Sequence, residues 1–213
     1  MPGEVKRNYD SALRRGQSAA TRQRILDAAR DLLIESGYRA TTITAVAARA
    51  AVNIDTIYDL VGRKPVILRE LIEQAISGTD HAVLAEDRDY VKAIRAEPDP
   101  ANKLAIYARA VRTIHQRMAP LFLALRDAAS TEPEARAVWH EIDERRAANM
   151  HSLAEDLSAA GGLRGGLTVD EAADVIWTTA SSDVYALLTI QRHWTPERFE
   201  HWLADAWRRL LLE

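Results

Sequence analysis

The stretch from Thr42 to Lys64, TITAVAARAAVNIDTIYDLVGRK, constrains the fold more than any other. Ile43, Val46, Ala47 and Ala50 recur at i, i+3, i+4 and i+7, one face of a helix of 3.6 residues per turn. Thr42 stands just ahead, with a hydroxyl suited to capping the first free N–H groups. Ala51, Val52 and Asn53 make a tight turn, with Val52 pointing inward to pin the two helices. Asn53 is a suitable N-cap for a second helix, Ile54 to about Val61. There Ile57 and Val61 face inward and Thr56, Tyr58 and Asp59 stay outside. A short helix, a three-residue turn and a second helix with a polar outer face form a helix-turn-helix pattern.

The surrounding sequence supplies the rest of a small domain. Thr21 to Ser36 reads as a helix with Ile25, Ala28, Ala29, Leu32 and Leu33 on one face, closed by Gly37. Residues 1–20 carry Lys6, Arg7, Arg14 and Arg15 without apolar periodicity, and read as a flexible basic arm that touches DNA or as an ordinary terminus. Net charge is −3 over the chain, but its distribution is uneven. Residues 1–64 hold eleven Lys/Arg against seven Asp/Glu; residues 65–213 hold seventeen against twenty-four. A basic front on an acidic body suits local attraction to phosphate.

From Arg24 through Thr42, RILDAARDLLIESGYRATT, then at Ile43, Ala47, Ala50, Val52, Thr56-Ile57-Tyr58 and Lys64, the chain resembles the N-terminal domain of TetR-family transcriptional regulators. The resemblance covers residues 22 to 76. It implies an all-α protein: a three-helix DNA-binding domain over 21–64, then a helical ligand-binding and dimerisation domain over 65–213. It implies that Tyr58 and Lys64 contact phosphate. Thr42 and Thr44, at a helix start, are placed to donate to phosphate as well. Base readout falls to Asn53, Ile54, Asp55, Thr56 and Asp59 on the start and outer face of the second helix. Asp55 either accepts from a cytosine N4–H₂ or stabilises the helix N-terminus. The family usually has glycine where this chain has Ala51, and an aromatic-rich pair where it has Leu60 and Val61. The turn then bears a Cβ, and Leu60 offers no phosphate contact.

Residues 65–213 read as helices throughout. Pro65 opens one with Val66, Leu68, Leu71, Ile72, Ala75 and Ile76 on its apolar side. Residues 80–98 are helical in part. A helix from Pro100 to Met118, a second from Pro120 to Ser130 and a long one from Pro133 to Ala160 follow. Thr168 and Glu171 form a capping box for a helix running to Gln191, and Pro196 opens the last. These two are apolar nearly all round, so both sides must be buried. Ala180, Val184, Leu188, Trp202, Ala206 and Trp207 are therefore expected at a homodimer interface, with burial inside one subunit as the alternative. Tyr107, Met118, Phe122, Trp139, Met150 and Trp177 are large enough to enclose a cavity, with Asp183 and Arg146 as polar anchors. Plain core packing, and a structural Asp183–Arg146 pair, are the rival readings.

Other functions are excluded residue by residue. There is no cysteine, hence no disulfide, thiolate metal site or cysteine nucleophile. His140-Glu141 begins like a zinc-protease motif, but position 144 is glutamate and His151 is off the required face. No Gly-rich phosphate loop or nucleophile elbow occurs, so no enzyme, metal or cofactor is expected. No apolar run reaches the roughly 20 residues of a membrane span, so a cytoplasmic protein with no membrane partner is expected. The expected function is a homodimeric repressor that binds a palindromic double-stranded DNA operator and is released by a small, largely apolar effector. The alternative is an all-α interaction protein that has lost sequence-specific DNA binding.

Overall fold

The computed structural model describes residues 3–79, 81 and 83–212, with side chains from residue 16 onward. Ten α-helices and no strand lie among the described residues: α1 Gly3–Ala40, α2 Ile43–Ala50, α3 Ile54–Leu60, α4 Lys64–Ser77, α5 Asp89–Ala96, α6 Pro100–Ala129, α7 Pro133–Ala159, α8 Val169–Thr179, α9 Ser182–Ala186 and α10 Pro196–Trp207. They form two compact units, Met1–Leu71 and Ile72–Glu213. The division falls inside α4, seven residues beyond the boundary expected from sequence.

In the first unit, α1 buries Ile25, Leu26, Ala29 and Leu33 against Val46, Ala47 and Ala50 of α2 and Ile57 of α3. The helix expected to begin at Thr21 extends back to Gly3, where a flexible arm was expected. Nothing between Glu4 and Arg15 breaks a helix, and alanine, leucine and arginine there favour one. The side chains of Lys6, Arg7, Arg14 and Arg15 lie outside those described. Gly37 interrupts α1 with φ 76° and ψ 175°, backbone essentially reserved for glycine. The interruption lets Thr41, fully buried, donate from its hydroxyl to the Gly37 carbonyl at 2.8 Å.

The second unit is built around α6, which packs on α5, α7, α9 and α10. Two expected helices, 100–118 and 120–130, are here one. Pro120 removes the hydrogen bond to the Gln116 carbonyl, but Ala119, Leu121, Phe122 and Leu125 are all buried and hold the helix through it. Conversely, the helix expected from Thr168 to Gln191 is broken. The capping box of Thr168 and Glu171 is present, but α8 stops at Thr179, and Ser181 starts α9 by accepting from the Val184 N–H at 3.2 Å. A π-helical turn, Leu187–Gln191, follows.

The break changes where the C-terminal apolar residues go. Trp207 is wholly buried within one chain: its ring stacks on Tyr107 at 5.4 Å and its indole N–H donates to Thr179 Oγ1 at 2.7 Å. Ala180 is buried too. Both were expected at the dimer interface, and both are satisfied inside one subunit. Val184, Leu188, Trp202 and Ala206 remain half-buried, and Leu187, Ile190 and Leu210 are exposed beside them in sequence.

Candidate functional site

Two places in the molecule carry features that packing alone does not require, one in each unit. The first is the outer surface of α2 and α3. Thr42 caps α2 by accepting from the Ala45 N–H at 3.1 Å. Ala51 adopts φ 53° and ψ 51°, the left-handed conformation that the turn needs and that glycine would supply without strain. The chain then reverses through Val52, whose N–H donates to the Ala47 carbonyl at 3.0 Å. Asn53 holds the N-cap position of α3, but its side chain makes no capping bond. Ile57 anchors α3 in the core, which fixes the opposite face outward. Thr42, Thr44, Asn53, Ile54, Asp55, Tyr58 and Asp59 are exposed and Thr56 is half-buried.

The cations around this surface are mostly engaged. Lys64, half-buried, donates from Nζ to the Tyr38 carbonyl at 2.7 Å and lies 3.8 Å from the Tyr38 ring centroid. That holds the α4 start against the end of α1. Arg22 pairs with Glu70, and Arg49 with Glu35 at 2.8 Å. The Arg49 hydrogen bond holds the Glu35 carboxyl below its usual range. Arg22 is thus committed to α4.

The second place is a cavity of about 410 Å³ in the second unit. Tyr107, Met118 and Phe122 of α6 and Arg146 and Met150 of α7 line it, as the sequence suggested. Trp139, Trp177 and Asp183 do not. Asp183 pairs with Arg126 rather than Arg146, because the break at Ser181 re-aims it. Arg146 instead stacks over the Trp177 ring at 4.8 Å, donates to the Trp177 carbonyl and pairs with Asp143 at 3.3 Å. Its burial lowers its pKa from the usual value.

Among the polar side chains that line this cavity and that sequence reasoning missed, two are buried. His115 is 4 % exposed and Ser182 is 3 % exposed. His115 Nδ1 lies 2.8 Å from the Val111 carbonyl, so that nitrogen carries the proton, while Nε2 has no partner among the described residues. Ser182 Oγ also has none. Burial lowers the histidine pKa to about 4, leaving the ring neutral near pH 7. Position 115 falls between Val111 and Met118 on an apolar stripe, which could have flagged it; Ser182 gives no sequence signal because its burial depends on the helix break. The cavity also reaches α4: Ile76 lines it, and Arg145 of its wall pairs with Glu73.

Residues 25–60 match the family model for bacterial regulatory proteins of the tetR family. No curated protein sequence matches the chain. Solved structures share the fold at low identity. One, titled as a TetR-family transcriptional regulator from Syntrophomonas wolfei, is 18 % identical, covers 90 % of this chain and 94 % of its own, and has a TM-score of 0.71. FadR from Bacillus subtilis in complex with stearoyl-CoA is 19 % identical over 88 % of this chain and 98 % of its own, at 0.71. NalD, the secondary repressor of the MexAB-OprM multidrug efflux pump in Pseudomonas aeruginosa, is 19 % identical over 93 % and 98 %, at 0.72. These regulators are transcription factors rather than enzymes. The segment that holds the helix-turn-helix is thus matched by the tetR family's model, and the fold is shared with solved TetR-family regulators over about nine-tenths of the chain.

Proposed function

We propose that this protein is a ligand-responsive repressor: a homodimer whose two α3 helices read a palindromic operator and whose helical unit binds a small, largely apolar effector. The observation that carries the reading is the outer face of α2 and α3. Ile57 pins α3 while Ile54, Asp55, Tyr58 and Asp59 stand exposed, Ile54 and Tyr58 at 39 % and 48 %. An isoleucine and a tyrosine that leave this much surface to water on one seven-residue helix suit base and phosphate contact. Two such helices related by a two-fold axis match half-sites about 34–36 Å apart. The half-buried and exposed apolar residues from Val184 to Ile190 and at Trp202, Ala206 and Leu210 support a four-helix interface between copies. The cavity supports effector binding, and α4, which begins in the first unit and ends in the second, is the covalent route for the signal. An effector that prefers a head spacing unfavourable to DNA releases the operator by population shift. The site of action is the cytoplasm, where the operator is.

The test is anisotropy of labelled DNA selected from a genomic library, across a salt series, with the protein beside a Tyr58→Phe, Thr44→Ala variant. Lys64 is spared because it also holds Tyr38. Expected is sequence-selective binding that weakens steeply with salt, with the variant weaker at every salt concentration and its slope nearly unchanged, because the lost hydroxyls are neutral. Selection that enriches no sequence, with equal weak binding by both proteins, would remove the reading and favour an interaction protein.

A further inference from the structure

We propose that the cavity of the second unit is built for an apolar molecule bearing a hydroxyl group, which donates to His115 Nε2 and accepts from Ser182 Oγ. The proposal rests on the cavity being the effector site. Its walls are largely hydrocarbon: Val111, Ile114, Met118, Phe122, Ile142 and Leu153 all line it. Tyr107 adds its ring rather than its hydroxyl, which donates to Met150 Sδ at 3.1 Å. Within that lining, two buried side-chain polar atoms lack a partner among the described residues, His115 Nε2 and Ser182 Oγ. A buried polar atom left unpaired costs about 1–3 kcal/mol, so a pair of them in one cavity marks where a ligand compensates.

The two atoms belong together. The His115 ring lies 5.5 Å from the Tyr185 ring, and Tyr185 follows Ser182 by three residues on α9. Residues three apart share a helix face, so α9 presents Ser182 on the side that holds His115.

Their chemistry selects the ligand group. With its proton on Nδ1 and bonded to the Val111 carbonyl, His115 offers only a lone pair at Nε2. A carboxylate or carbonyl oxygen there would set acceptor against acceptor. Protonating the ring to receive an anion is opposed by its burial and by the nearby Arg146 charge. An ammonium would donate, but Arg146 repels it and the apolar walls desolvate it. Of the arginines lining the cavity, Arg146 is served by Asp143 and the Trp177 carbonyl, Arg145 by Glu73 and Arg88 by the Val83 carbonyl, so these three do not demand an anion. A neutral hydroxyl both donates to Nε2 and accepts from Oγ, which satisfies both orphans with one group.

Isothermal titration with 1-decanol, methyl decyl ether, decanoate and decylamine tests this, on the wild type and on His115→Phe, His115→Gln and Ser182→Ala. Thermal melts verify that each variant folds. Expected is that decanol binds about tenfold or more tighter than the ether, and tighter than either ion. His115→Phe should lose about tenfold for decanol and little for the ether, and His115→Gln, whose amide oxygen accepts, should recover most of it. Equal affinity for alcohol and ether, or tightest binding of decanoate or decylamine, overturns the hydroxyl assignment and leaves the cavity as effector site standing. No binding of any probe up to its solubility overturns both.

Discussion

Ala51 and His115 show how single residues here carry costs with a visible purpose. Ala51 sits in the left-handed region at φ 53°, which costs a Cβ-bearing residue about 1–2 kcal/mol. Glycine removes that strain but loses about 0.4–1 kcal/mol through greater freedom of the unfolded chain. Ala51→Gly is therefore expected to stabilise the first unit by roughly 0.5–1 kcal/mol. Urea unfolding followed by circular dichroism checks it; tryptophan fluorescence does not, because all five tryptophans lie in the second unit. For His115 the folded pKa of about 4 is below the usual 6.5. The unfolded chain thus binds more protons between those values, and stability rises with pH across the window. It is fully present above pH 6.5 and lost as pH falls toward 4, by about 3 kcal/mol in all. Fluorescence-detected urea melts at stepped pH values should show that slope, and His115→Gln should flatten it. That position 51 is unusual was legible through the resemblance, since the family usually has glycine there; the left-handed conformation itself is a finding of the structure. The burial of His115 had one signal, its place between Val111 and Met118 on an apolar stripe, but its unpartnered Nε2 had none until the neighbouring helices were placed.

At the scale of helices, sequence marks starts better than continuity. Each proline-led start at 100, 133 and 196, and the capping box at 168, is where the pattern put it. Pro120 looked the same and is not a start, because buried leucine and phenylalanine on its flanks outweigh one lost hydrogen bond. The break at Ser181 was hidden for the opposite reason: Ala180 and Ser181 continue an apolar run that is helical by pattern, and the serine cap competes only once α9 can dock on α6. Gly161-Gly162 and Gly165-Gly166 follow α7, and of these four Gly162 is the one that is closely packed. A Cβ on Gly162 would lie 2.5 Å from Pro100 Cγ and 2.6 Å from Pro100 Cβ, both atoms of a stiff ring. Gly165 has nothing within 4 Å. Gly162→Ala is expected to destabilise the second unit by about 1–3 kcal/mol, by forcing the end of α7 off the start of α6. Gly165→Ala should shift the fluorescence-detected midpoint little. Equal shifts for the two would show that the contact with Pro100 relaxes freely.

Across the whole chain, the reading of a regulator requires that occupancy of the cavity alter DNA affinity, and α4 is the element through which it is proposed to do so. Two features tie the cavity to that helix: Ile76 forms part of the wall, and Arg145 of the wall pairs with Glu73. Glu73 is only 13 % exposed, so its charge is poorly served by water and depends on the arginine. A ligand that displaces Arg145 must therefore disturb α4. Glu73→Gln keeps the shape of the side chain but removes the charge, and is expected to cut the ratio of operator affinities without and with ligand by about fivefold, on the order of 1 kcal/mol of coupling. The coupling can be read in both directions, as ligand affinity of free against DNA-bound protein and as operator affinity of empty against filled protein. Linkage requires the two ratios to agree, so a loss seen in one direction alone would indicate damage to a site rather than to the coupling. An undiminished ratio in both would move the route away from the Arg145–Glu73 pair and onto the Ile76 contact.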